Sequence, residues 1–125
     1  MASQAPNQTL AARASAVLTT GEVAATRMDV NEACNGVINV QIVFTLGMLT
    51  NCTFRYMVSM DGTTYYPIKS LGAGVASVVP TADSTYVETF NAAGYKWFRV
   101  SAQGSGTVTS SLAAIDYRWH KRGSQ

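Results

Sequence analysis

The chain has 125 residues, of which 47% are apolar and only 13% charged, with a net charge of +2. That length suits one domain around one core, and so small a net charge gives no argument for a nucleic-acid partner. Charged residues usually reach about 25% in soluble domains, so a chain this poor in them exposes much uncharged surface, which favours packing against other subunits.

Residues 1–20 are rich in Ala, Ser, Thr and Gln and have little to bury by themselves. They read as an extended arm that orders on a neighbour, or as a terminus without fixed structure. The start, MASQAPNQTLAARASAV, lacks the basic opening and apolar stretch of a signal peptide, so synthesis in the cytoplasm is expected. No apolar run approaches the roughly 20 residues that cross a bilayer, and no membrane partner is expected.

Glu22–Val30 is the first expected core strand, and 31–36 a turn in which Asn35-Gly36 tolerates positive φ. Val37–Leu46 alternates most regularly. Ile38, Val40, Ile42, Phe44 and Leu46 share one face, and Val37, Asn39, Gln41, Val43 and Thr45 the other, as in a sheet with one face in a core. The next strand puts Phe54, Tyr56, Val58 and Met60 opposite Arg55, Met57 and Ser59. It runs into Asp61-Gly62 and re-emerges as Tyr65–Ile68, a hairpin signal.

Leu71–Gly74 is an expected loop, Val75–Val79 a short strand stopped by Pro80, and Tyr86–Phe90 a further strand. Tyr95–Ala102 alternates Tyr95, Trp97, Arg99 and Ser101 with Lys96, Phe98, Val100 and Ala102. Gln103–Gly106 reads as a loop, and Thr107–Trp119 as a long closing strand. The pattern predicts an all-β fold, an antiparallel sandwich or jelly roll of about eight strands. Its expected parts are an arm (1–20), a sandwich domain (21–119) and a basic tail (120–125). That tail solubilises the chain, docks on an acidic neighbouring subunit or touches packaged DNA.

The chemistry is sparse. Cys34 and Cys52 either pair or, more in keeping with a reducing compartment, stay as buried free thiols. With one distant histidine they make no zinc site, and no cofactor is expected. The carboxylates are Glu22, Asp29, Glu32, Asp61, Asp83, Glu88 and Asp116. Asp61 and Asp83 belong to turns, and Asp116 beside Arg118 reads as a surface ion pair. No spacing points to a catalytic dyad, so no enzyme is expected. Tyr65, Tyr66, Tyr95, Trp97, Tyr117 and Trp119 allow two readings: a platform for a surface glycan, or core and interface anchors. Lys69, Lys96 and Arg99 are too few and too scattered for a nucleic-acid groove.

Two stretches carry a resemblance. Ser59, Asp61, Gly62, Thr63 and Tyr65 fit the hairpin pattern S-x-D-G-T-x-[WY]; Gly94–Val100 fits the later G-[YF]-[RK]-[YW]-[VF]-R-V, followed by a Thr-Val strand. Over residues 37–113 the chain resembles small β-sandwich structural proteins of tailed-phage virions. The resemblance implies a non-enzymatic virion protein made in the host bacterial cytoplasm. It implies most directly a capsid decoration (cement) protein whose partners are the major capsid protein and copies of itself. Collar and head-to-tail parts, and glycan- or receptor-binding modules, are related roles. On this reading Tyr65, Tyr66, Tyr117 and Trp119 are the expected interface anchors, and Arg118, Lys121 and Arg122 the polar rim.

Overall fold

The computed structural model describes residues 7–72 and 74–121. Among them are ten strands and no α-helix. The strands are β1 (Asn7–Ala16), β2 (Val23–Ala24), β3 (Met28–Asp29), β4 (Val37–Thr45), β5 (Leu49–Ser59), β6 (Tyr66–Pro67), β7 (Ser77–Val78), β8 (Ser84–Asn91), β9 (Trp97–Gly106) and β10 (Leu112–His120). One sheet has the order β1-β10-β4-β8. The other has β2-β9-β5-β6, with β3 also on β9 and β7 also on β5. Every pairing is antiparallel. If β2 with β3 and β6 with β7 each count as one broken edge strand, the result is a sandwich of two four-stranded layers in jelly-roll order, as the turn spacing predicts.

Alternation builds the core. Ile38, Val40, Ile42 and Phe44 of β4, with Ile115 and Tyr117 beside them on β10, face Phe54, Tyr56 and Val58 of β5 and Phe98 and Val100 of β9; all are buried. Four aromatic contacts each cross between the layers: Phe44–Phe54, Tyr56–Phe90, Phe90–Phe98 and Phe98–Tyr117, with centroids 4.6–5.7 Å apart.

Several expectations are corrected. The N-terminal arm is, from Asn7 to Ala16, an edge strand on its own domain: Leu10 stands opposite Tyr117 and Gln8 opposite Trp119. Glu22–Val30 is not one strand but two short pieces, and Val75–Val79 shortens to β7. The supposed Gln103–Gly106 loop is the end of β9, so the turn falls at 107–111 and the last strand begins at Leu112. The Asp-Gly hairpin forms, but its connection spans 60–65 and leaves Met60 exposed. Asn35 and Gly36 both adopt positive φ, as read from the sequence. Both cysteines are free thiols; Cys52 is buried, while Cys34 is exposed.

Candidate interaction surfaces

The sandwich offers two outer faces. On the first sheet, β4 turns out Asn39, Gln41 and Val43. Register places them beside Arg118, Asp116 and Ala114 of β10 and Thr89, Val87 and Thr85 of β8. Val43 is 45% exposed, Val87 62% and Leu112 41%. A depression of about 230 Å³ opens among Asn39, Gln41, Val87, Asp116 and Arg118. Asp116 and Arg118 share this face without an ion pair: the ion pairs among the described residues are Arg55–Glu22 and Lys96–Asp29.

On the second sheet, the β5–β9 register sets Arg55 opposite Ser101, Met57 opposite Arg99 and Ser59 opposite Trp97, all on the outward register, with Ser59 and Ser101 covered by their neighbours. The guanidinium of Arg27 lies over the Trp97 ring at 3.8 Å, and that of Arg99 over the Tyr65 ring at 3.6 Å. Such stacking holds a cation at a fixed orientation. Lys96 Nζ sits 2.9 Å from Asp29 Oδ2. Arg55 reaches Glu22 at 3.5 Å and donates to Gln103 Oε1 at 3.1 Å. Ser101 Oγ donates to Glu22 Oε2. Glu22, Ala24, Met57, Tyr65, Arg99 and Ser101 line a shallow depression of about 310 Å³.

The Asp61-Gly62 loop is the wall of this second face. Asp61 Oδ1 accepts from the amides of Thr63 (2.8 Å) and Thr64 (2.9 Å) and from Ser59 Oγ (3.0 Å), and these bonds hold its carboxyl below the ordinary 3.8. Gly62 has φ +81°, and a Cβ there would collide with Arg27 and Trp97. Its carbonyl accepts from Arg27 Nη1 at 3.2 Å. The motif that reads as a turn therefore also seats the Arg27–Trp97 stack.

The expected interface residues scatter. Tyr117 is fully buried and Trp119 is 8% exposed, so neither offers a side chain to a partner. Both lie on the inward register of β10, which puts them in the core. Tyr65 is half-buried beneath Arg99, and Tyr66 is 56% exposed on β6. Arg118 is exposed on the first outer face, and Lys121 is exposed beside Ala33. Arg122 lies outside the described residues. A glycan platform loses Tyr117 and Trp119 to the core and finds guanidinium groups over Tyr65 and Trp97; Tyr66 and Tyr95 stay exposed.

Sequence reasoning missed the Arg27, Arg55, Lys96 and Arg99 grouping. The only signal for it was the outward alternation of Arg55-Met57-Ser59 and Trp97-Arg99-Ser101. Among the described residues, no group of three or more His, Cys, Asp or Glu side chains is placed to hold a metal ion. Among those same residues, no helix is long and apolar enough to cross a membrane.

Compared with known proteins, the chain matches no family model and no curated protein. Its fold is similar to solved structures. The crystal structure of the SPBc2 prophage-derived protein YomS superposes with a TM-score of 0.62 at 9% identity, covering 94% of this chain and 96% of that one. A chain from a structure described as Bacillus endospore appendages forming a novel family of disulfide-linked pili gives 0.58 at 9% identity, covering 94% and 88%. The crystal structure of PirA gives 0.50 at 13% identity, covering 96% and 95%. At these identities the likeness is one of fold.

Proposed function

We propose that this protein is a non-enzymatic structural component of a bacteriophage virion, and in its finer form a capsid decoration (cement) protein. The observation that carries the reading is the outer face of the first sheet, where Val43, Val87 and Leu112 stand exposed and Asp116 and Arg118 are the charged residues of the β4–β10 register. Such a surface is better suited to covering by another subunit than to solvation. The fold likeness to a prophage-derived protein along nearly the whole of both chains supports the same reading, as do the hairpin and Gly94–Val100 patterns.

The mechanism is adhesion. A standard protein interface buries about 1,600 Å² in total. Many symmetric copies turn a modest affinity for the major capsid protein and for each other into avidity. The added interfaces brace the shell against the pressure of the packaged DNA. The test adds the purified chain to particles that lack it and follows binding and the temperature of DNA release. Saturable binding with a raised release temperature is expected. No binding, together with equal stability of particles with and without the chain, would sink the reading.

A further inference from the structure

The outer face of the second sheet carries a recognition chemistry of its own, independent of the virion reading. Four of the nine Lys and Arg residues of the chain meet there: Arg27, Arg55, Lys96 and Arg99. Two of them are spoken for, since Lys96 pairs with Asp29 and Arg55 with Glu22. Arg27 and Arg99 have no carboxylate within ion-pair distance among the described residues. Each is stacked on an aromatic ring instead. A guanidinium held against a ring is pre-oriented and loses less rotamer freedom on binding a carboxylate, and Arg27 is further fixed by its Nη1 donating to the Gly62 carbonyl.

We propose that this face is a docking site for an acidic polypeptide segment, with Arg27 and Arg99 each receiving a carboxylate. The two cations are anchored at neighbouring outward positions, Arg27 on the Trp97 ring and Arg99 on β9 itself. Trp97 and Arg99 are successive outward positions on β9, about 6.7 Å apart along a strand. The side chains at i and i+2 of an extended partner have the same separation. Beside Arg99, Met57 and Ala24 supply an apolar floor in the 310 Å³ depression.

Two features select polypeptide over nucleic acid. Guanidinium groups already lie over both rings, whereas single-stranded nucleic acid is bound by bases stacking on open aromatic faces. Glu22 and Asp29 flank the cations. An unbroken phosphate backbone would have to pass them, while discrete carboxylates can fall between them.

The experiment titrates the full chain with a fluorescein-labelled peptide of alternating Glu and Thr. Its Gln-for-Glu analogue and a thymidine oligonucleotide run in parallel. The expected result is saturable peptide binding, weakened by salt and absent for the Gln analogue. It should fall about tenfold in R27Q or R99Q and further in the double variant, with R118Q, on the opposite face, unchanged. A second readout needs no variant: the Trp97 indole resonance should shift on titration with peptide, and the Trp119 indole should not. The proposal is overturned if the peptide fails to bind at low salt, or if R27Q/R99Q binds it as tightly as the parent chain. It is equally overturned if the oligonucleotide binds more tightly than the peptide through the same two arginines.

Discussion

Tyr117 links the two layers twice. Its ring packs edge-on against Phe98 of the opposite sheet, with centroids 5.4 Å apart, and its hydroxyl accepts from the Val100 amide at 2.9 Å. That amide lies where the edge breaks between β2 and β3, so no ladder partner stands beside it. Burial pushes the phenol's ionisation well above its ordinary value. Tyr117→Phe keeps the ring and strands the amide, and should cost about 1–3 kcal/mol in urea unfolding. Asp61 gives a second residue-scale prediction. Its carboxyl is held below 3.8 chiefly by the amides of Thr64 and Thr63, and Asp29 is held low chiefly by Lys96. Groups whose folded values are depressed contribute stability above their unfolded values and lose it as pH falls through the folded ones. Unfolding midpoints should therefore hold from neutral pH to about 4 and fall below it, with a shallower fall in Asp61→Asn.

At the scale of elements, legibility followed the strength of alternation. β4 was readable nearly residue by residue because each inward position is large and apolar. The sequence pattern ends β9 early because Gly104 and Gly106 read as loop residues. Gly104 instead sits inside the strand, where a Cβ would press on Leu49, Leu18 and Val108 at 3.1–3.3 Å. It is a packing glycine, and composition does not separate that role from a turn. Gly104→Ala should cost about 1–3 kcal/mol by overpacking. Gly72→Ala, with nothing within 4 Å, should leave the melting temperature nearly unchanged. The edge strands were the least legible. β1 was hidden because its inward positions, Gln8, Leu10 and Ala12, are mostly small or polar. The β2–β3 break depends on a hydroxyl arriving from the other sheet. The edges also carry charge on the inward register: Arg13 opposite Ile115 on β1, and Glu88 opposite Val40 on β8. Such residues discourage strand addition and leave the faces as the surfaces for contact.

For the whole molecule, the two faces differ in kind. The first is weakly charged with exposed valines; the second is a lattice of cations, rings and acids. The second was invisible as a unit in the sequence because residues 27, 55, 96 and 99 meet only through the pairing of β5 with β9 and its edges. The buried identity of Tyr117 and Trp119 was hidden for a related reason: β10 shows which residues alternate, but only the assembled sandwich shows which side faces in. If the first face binds the shell, Val43→Asp with Val87→Asp should lower particle binding at least about tenfold, with little change in unfolding midpoint, since both side chains are exposed. Unchanged particle binding by this variant would assign the contact to another face.

The two thiols differ as sharply as the two faces. Burial lifts Cys52 to about 11, which leaves it protonated and shielded at neutral pH, while Cys34 is exposed beside Asn35 and His120. A maleimide reagent should thus mark a single atom per copy without mutagenesis. A gold cluster or dye attached there would turn each subunit into its own landmark, so that averaged images report the radius and handedness at which the chain sits.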